Sequence, residues 1–480
     1  MSSPLAGLEP ALVWKRFFEL TRIARPSQAE EQVRQHVLAW AAKRGLATAT
    51  DAEGNVVVSV PATSGHGSSP VVVLQAHLDM VCERDPDSPF DPREGRIDVR
   101  VDDDWVLARG TTLGADNGVG VALALALAED PAVAHGPLEL LLTVSEEQGL
   151  DGAKALDAGL VSGRLLVNLD GASDAVTVGC AGSDHTSIRL PLPTGGGAHG
   201  QTLRVKLSGA RGGHSGEDID AGRVNAIKAL GQVLDAASRA APFGLVSLDG
   251  GASRNAIPRA AHAVVVAPDE DAFELAARSE LAEIVRRHAG TDDELVLELE
   301  PAGAQQAAGP EATRRILEIL ASIPTGAIAM RPDGSNSVET SICLTVARTE
   351  SGELLLSSMA RSSNAAALDA LLARMETLAR QGGAAIDVRR SYPPWEPLLD
   401  SLILRRTAAV FDRLFGGEPE LVVVHGGLEC AVLGQKLEGV EMISIGPEIV
   451  GLHAPGEKVR ISSTERCYRL LVALVDDLTS

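Results

Sequence analysis

Through the first part of the chain, short runs of aliphatic and β-branched residues alternate with stretches of helical periodicity. Residues from about 10 to 45 follow a helical pattern. The runs "NVVVSV" (55–60) and "PVVVLQAHLD" (70–79) are bounded by Gly, Pro and Ser and predict strands. A helix is expected at "DNGVGVALALALAED" (116–130), then strands at "LELLLTV" (138–144) and "RLLVNLD" (164–170). This rhythm predicts a largely parallel sheet with helices on its faces. It breaks at "PLPTGGGAHGQ" (191–201), a stretch rich in Gly and Pro.

Beyond the break the pattern changes. A strand at "TLRVKLS", a helix at "RVNAIKALGQVLDAA", a strand pair across "LVSLDGGASRNAIPRAAHAVVVAP", a helix at "DAFELAARSELAEIVRRHAG" and a strand at "ELVLELEP" form one mixed unit. A second set of similar order follows: a strand pair in "SVETSICLTVARTESGELLLSSMARSS", a helix at "NAAALDALLARMETLARQGG" and a strand at "AAIDVRRSYP". After "YPPWEP" the opening rhythm resumes and closes on the helical "STERCYRLLVALVDDL". The expected fold is therefore an α/β domain in two parts, 1–188 and 395–480. An inserted α+β lid domain, 189–394, would be built from two similar units in succession.

Composition narrows the classes of function. The 480 residues exceed one ordinary core, and 45% are hydrophobic. A formal charge of −22 argues against nucleic acid and against an acidic membrane surface as partners. The longest apolar run, Val119–Ala128, is too short to span a bilayer. The N-terminal residues lack the basic start and apolar core of a signal peptide. Five scattered cysteines without a CxxC read as reduced thiols, so the expected location is the cytoplasm.

Against that background one recurrence stands out. His77 and Asp79 close a predicted strand, and Asp116 opens a helix after a loop. Glu146 and Glu147 follow a strand, Asp170 ends another, and His453 lies after "MISIGP". Taken singly, each has an ordinary explanation: a polar strand end, a helix N-cap, a solvated loop or a turn. Sites in open α/β sheets form at the carboxyl ends of strands, so together these segments deliver imidazole and carboxylate groups to one edge. Those are zinc-ligand types. Their number suits two ions sharing a bridging carboxylate and a water. The loop "GTTLGADNG" lacks the Lys-Ser/Thr of a phosphate-binding P-loop.

The segments "LQAHLDMVCE", "GTTLGADNGVGVALALAL", "TVSEEQGLDGA", "NLDG", "GARGGHSG", "RNAIPR", "HGGLEC" and "ISIGPEIVGLHAPGEKV" resemble, in order, those of the cytosolic non-specific or aminoacyl-histidine dipeptidases. That family belongs to the co-catalytic zinc exopeptidases, with aminoacylase and carnosinase. The resemblance runs from about residue 10 to the C-terminus. It implies that Asp116 bridges two divalent ions, zinc foremost, with manganese or cobalt as alternatives. His77 and Asp170 would complete one ion's shell, and Glu147 and His453 the other's. Asp79 would orient His77, and Glu146 would be the general base toward a water shared by the ions. A cis peptide is expected after Asp116. In the lid, His214 would stabilise the oxyanion, Asn255 and Arg361 would hold the substrate backbone and its carboxylate, and Gly427 would line the pocket. His425 and Cys430 are not counted as ligands. The sequence departs from the wider clan in having Asn117 where many members have Asp, and from close relatives in having Ala454 where Ser is common.

The expected activity is hydrolysis of dipeptides with a free N-terminus, including Xaa-His, by a monomer or homodimer. An N-acyl amino acid hydrolase and an inactive peptide-binding homologue are the competing readings.

Overall fold

The computed structural model describes residues 3–479 apart from 196–198, 334 and 336, and elements and counts refer to the described residues. Described residues up to Cys180, Trp395–Val424 and those from Leu428 onward form one compact unit. Ala181–Pro394 with His425–Gly427 form another.

The first unit begins with helices α1 (Ala11–Leu20) and α2 (Glu31–Ala42) and strands β1 (Ala47–Thr50), β2 (Val56–Val60) and β3 (Val72–His77). A hairpin, β4 (Val99–Asp102) and β5 (Trp105–Ala108), leads to helix α3 (Ala115–Glu129). Strand β6 (Leu138–Thr143), short helix α4 (Asp151–Ala155) and strands β7 (Leu165–Asn168) and β8 (Val176–Cys180) complete this segment. The second unit runs β9 (Gly182–Pro191), β10 (Gln201–Ser208), β11 (Gly213–His214), α5 (Ala226–Ala240), β12 (Gly244–Gly250), β13 (Ala256–Ile257), β14 (Ala261–Ala267), α6 (Glu270–Arg287) and β15 (Val296–Pro301). It continues with α7 (Pro310–Ser322), β16 (Gly326–Met330), β17 (Val338–Glu350), β18 (Glu353–Ser362), α8 (Ala365–Gln381) and β19 (Ala385–Tyr392). The chain then returns to the first unit through α9 (Leu402–Phe415), β20 (Leu421–Val424), α10 (Cys430–Lys436), β21 (Glu441–Ser444), β22 (Ile449–Val450), β23 (Lys458–Arg460) and α11 (Ile461–Asp477).

Eight strands of the first unit form a mixed, mostly parallel sheet in the order β1-β2-β6-β3-β7-β21-β8-β20. Its centre, β6-β3-β7-β21, is parallel throughout. All six residues of β3 and of β6 are buried, which is why these strands read as unbroken apolar runs. Helix α3 packs on β3 and is buried over most of its circumference, so its sequence shows no polar face. The parallel register sets His77 opposite Thr143 and Gln75 opposite Asn168. The chain therefore leaves β3, β6 and β7 at one edge.

The second unit carries a nine-stranded sheet, ordered β15-β10-β14-β12-β17-β18-β9-β19, with β16 also paired to β17. It consists of two βαββαβ halves, and both have the spatial strand order fourth-first-third-second in antiparallel pairing. One half is β10-α5-β12-β14-α6-β15, and the other is β9-α7-β17-β18-α8-β19. They join through β12 and β17 at Gly250 opposite Ala347. The halves are nested rather than successive as expected, since the first strand of the outer half, β9, precedes the whole inner half. The expected boundary at 188/189 falls inside β9, whose inward-facing Ile188 and Leu190 belong to the second unit's core. The Gly/Pro-rich stretch at 191–201 instead links β9 to β10, and its residues 196–198 lie outside the described residues. Each unit has its own hydrophobic core. At the junction in the chain, Cys180 and Trp395 exchange backbone hydrogen bonds of 3.0 and 3.1 Å. All five cysteines are buried, and no disulfide joins them. No helix among the described residues is long and apolar enough to cross a membrane.

Candidate metal centre

His77 is the last residue of β3, with its side chain almost fully buried. Its Nε2 lies 3.0 Å from Asp116 Oδ1 and 3.5 Å from Asp170 Oδ1. The other Asp116 oxygen, Oδ2, lies 3.2 Å from His453 Nε2, which is in turn 3.1 Å from Glu147 Oε2. Asp116 thus turns one oxygen toward each histidine. Three donor groups have ligand atoms within 4.8 Å of one another: His77–Asp116–Asp170, Asp116–Glu147–His453, and His77–Glu146–Glu147. The side chain of His453 is half exposed, and His453 sits in the turn between the paired strands β22 and β23 at a positive φ of 61°.

The backbone around Asp116 is irregular. Asp116 and Asn117 depart from helical φ/ψ, and the peptide between them is cis, as expected. Asn117 donates from Nδ2 to the Leu169 carbonyl at 3.2 Å and to the Asp170 carboxylate. Its amide thereby holds one metal-ligand candidate against the segment that carries another.

Asp79 is fully buried and takes the backbone N–H groups of Glu146 and Glu147 at 3.0 and 3.2 Å, and the Ser27 hydroxyl at 2.7 Å. Its carboxylate stands 3.3 Å from His77 Nδ1, an ion-pair distance without hydrogen-bond alignment. Burial opposes its charge, but these donors and the His77 imidazole hold Asp79 down at about 2. The neighbouring carboxyls move the other way. Burial, joined by mutual repulsion, raises Glu146, Glu147 and Asp170. Burial also works against a charged His453, yet Asp116 and Glu147 lift it to about 11. None of Asp116, Glu146, Glu147 or Asp170 pairs with a lysine or arginine among the described residues. The Glu147 Oε1 atom is buried without a partner. Two imidazoles and a crowd of unneutralised carboxylates are a donor set that fits divalent cations.

Several supporting residues lay outside the sequence reading. Glu30 accepts Ser145 N and Oγ at 2.9 and 3.0 Å and so holds the turn that presents Glu146 and Glu147. Beneath the site, Asp170 N is bonded to Asn168, Asn168 to Gln75, and Gln75 to Glu429, which also accepts the Thr143 hydroxyl at 2.6 Å. Burial pushes Glu429 up to about 7. Arg25 and Glu457 brace the backbone of the site. Of these, Gln75, Thr143, Ser145, Asn168, Glu429 and Glu457 stand within quoted motifs, whereas Arg25 and Glu30 lie outside all of them.

The remaining candidates belong to the second unit. Strands β11 and β13 pair His214 with Ala256, which brings His214 beside Asn255. The Ser215 N–H donates to the Asn255 carbonyl at 2.8 Å, and Asn255 itself is exposed. Arg361 lies on β18, 4% exposed, with Nη1 3.3 Å from the Tyr392 hydroxyl and a buried, unpartnered Nε. Any side chain at Gly427 would collide with that same hydroxyl. His425 Nε2 meets Ser341 Oγ at 2.7 Å, and burial together with the nearby Arg361 and His214 lowers it to about 4.

Comparisons with known proteins identify the family of the chain. Residues 73–477 match the sequence pattern of peptidase family M20/M25/M40. The chain is 34% identical to the cytosol non-specific dipeptidase of Escherichia coli (strain K12), over 99% of both chains. Its structure superposes on aminoacylhistidine dipeptidase from Vibrio alginolyticus with a TM-score of 0.84 and 33% identity, covering 99% of this chain and 98% of that one. Aminopeptidase PepT from Bacillus cereus shares the fold at a TM-score of 0.58 and 16% identity, covering 98% of this chain and 100% of that one. With its pattern matched over most of its length and a full-length relative at this identity, the chain belongs to peptidase family M20/M25/M40.

Proposed function

We propose that this chain is a metal-dependent dipeptidase acting on dipeptides with a free N-terminus. The observation that carries the reading is Asp116, whose two oxygens face His77 at 3.0 Å and His453 at 3.2 Å. Two divalent ions would be held by His77, Asp116 and Asp170 on one side and by Asp116, Glu147 and His453 on the other. Zinc is the expected ion, and manganese or cobalt suits the same nitrogen and oxygen donors. When bound, the ions supply Lewis acidity and a water acidified toward neutral pH. The dipeptidase names of the relatives from Escherichia coli and Vibrio alginolyticus support the reaction, and the second makes Xaa-His a substrate to test. The word cytosol in the first name supports a cytoplasmic location.

Glu146 is assigned as general base. Its burial raises its proton affinity, which suits a group that must take a proton, hold it and return it to the leaving amine. Asp79 is assigned to orient His77 while fixing the two glutamates through their N–H groups. The inserted unit is assigned to the substrate. Arg361 would take the terminal carboxylate with its planar fork, Asn255 and Gly427 the peptide backbone, and His214 the developing oxyanion.

The test is hydrolysis of free and N-acetylated dipeptides, Xaa-His included, after chelation and again after adding back Zn²⁺. Metal-restored cleavage of the free compounds alone is expected. Cleavage of the acetylated series would move the chain to an acylase reading. Absence of cleavage with any metal would make it a peptide-binding homologue.

A further inference from the structure

Glu457 lies four residues after His453 and is 2% exposed. Its carboxylate accepts four consecutive backbone N–H groups. Leu113 and Gly114 donate to Oε2 at 2.8 and 2.9 Å, and Ala115 and Asp116 donate to Oε1 at 2.7 and 3.2 Å. Helix capping alone does not explain this, because a cap satisfies one or two donors of a regular first turn. Here the acceptor grips the irregular backbone that carries Asp116 into the site.

Arg25 is 1% exposed and works on the same backbone from the carbonyl side. Its Nη1 donates to the carbonyls of Leu78 and Asp79 at 3.1 and 2.8 Å, and its Nη2 donates to the carbonyl of Gly114. Gly114 is therefore held on both sides, its N–H by Glu457 and its C=O by Arg25. Through that residue the Asp116 segment is tied to the residues that follow His77. The two charges cancel, so the clamp adds no net charge beside the carboxylates of the site.

We infer that Glu457 and Arg25 are positioning residues for the metal pair. They fix Asp116 relative to His77 and thereby set metal affinity, without either side chain being a ligand. Partners of this kind beyond the ligands are worth roughly 10- to 100-fold in metal affinity. The inference rests on Asp116 as the bridging ligand, so Asp116→Asn is measured alongside.

Metal-free full-length chain is titrated with Zn²⁺ against a chromogenic chelator, and circular dichroism and thermal unfolding are recorded for each variant. Glu457→Gln and Arg25→Lys are each expected to weaken Zn²⁺ binding about 10- to 100-fold with the wild-type far-ultraviolet spectrum. Zinc binding within about twofold of wild type in both, while Asp116→Asn loses the metal, would overturn the clamp and leave the proposed function standing. A lowered unfolding temperature with unchanged affinity would equally overturn it, as a structural role alone. Wild-type binding by Asp116→Asn would instead bring down the bridging assignment. Should only one clamp variant fold, the affinity of that folded variant decides, and failure of both to fold would reject a metal-specific role.

Discussion

Two carboxyls near His77 illustrate what burial does to single residues. Glu146 reaches its position with no lysine or arginine paired to it among the described residues, and its proposed role depends on exchanging one proton. Replacing it by Gln keeps the volume and removes the exchange. Glu146→Gln should lower kcat by about 10²- to 10⁴-fold while metal content, read by atomic emission, stays at the wild-type level. Glu429 lies deeper, with one oxygen bonded and the other buried without a partner. Its folded pKa of about 7 exceeds the ordinary 4.5, so the folded state keeps a proton that the unfolded state releases. That contribution is fully present below the unfolded value and is lost as pH rises through the folded one. In metal-free protein, urea unfolding should show Glu429→Gln gaining up to roughly 3 kcal/mol on wild type as pH rises from about 5 to about 8. A pH-independent difference between the two proteins would show that Glu429 is already ionised in the fold. At this scale the ligand candidates were readable because His, Asp and Glu at strand ends contradict their apolar surroundings. Arg25 and Glu30 were not, since a side chain that binds backbone N–H or C=O groups far along the chain leaves no spacing to recognise. Tyr392 and Ser341 were missed as well, because only strand pairing sets Ser341 opposite Arg361 and places Arg361 and Tyr392 on either side of Ser183.

Helices and strands carry a different kind of information. The centre of the first sheet was legible from its apolar runs, and so were α3 and the closing helix. Strands β8 and β9 were not, because Thr, Gly, Ser, Asp and His break the apolar pattern along them. β9 covers a core on one face only, and its alternation is interrupted by the buried Asp184, which takes the Ser391 N–H and the Arg390 guanidinium. Helix α3 shows where a local rule reverses. A glycine inside a helix normally gains about 1 kcal/mol on replacement by alanine. At Gly120, however, a Cβ would run into the Asn117 side chain and the Leu169 carbonyl. Gly120→Ala should therefore destabilise the protein by about 1–3 kcal/mol in urea unfolding, and loosen Asp170 with it. A stabilising outcome would mean that α3 can slide on β7 without cost.

For the whole molecule, the doubled second unit bears on which chain supplies which residue. Its two βαββαβ halves meet in one polypeptide, at Gly250 and Ala347. The two halves thus share one nine-stranded sheet within a single chain, and His214 is expected to serve the centre of its own chain. Mixing inactive Glu146→Gln and His214→Ala proteins should then restore no activity. Recovery in the mixture, followed by dipeptide hydrolysis, would show that His214 crosses between chains. The duplication was visible in the sequence as two sets of similar order. The nesting was not, because the strand that belongs to the outer half stands before the inner one.

That nesting also puts the molecule's assembly into an order in time. During synthesis β9 emerges long before β18 and β19, its neighbours in the sheet, while every strand of the inner half is made in between. The inner half can finish first, the outer half is completed beside it along β12, and the first sheet waits for β20 and β21. His453 is among the last of the site residues to be made. A nascent chain therefore carries His77, Asp116 and Asp170 with one side of the centre unfinished until His453 is made. Under the proposed function it gains the power to cut peptides only once His453 has been made and placed.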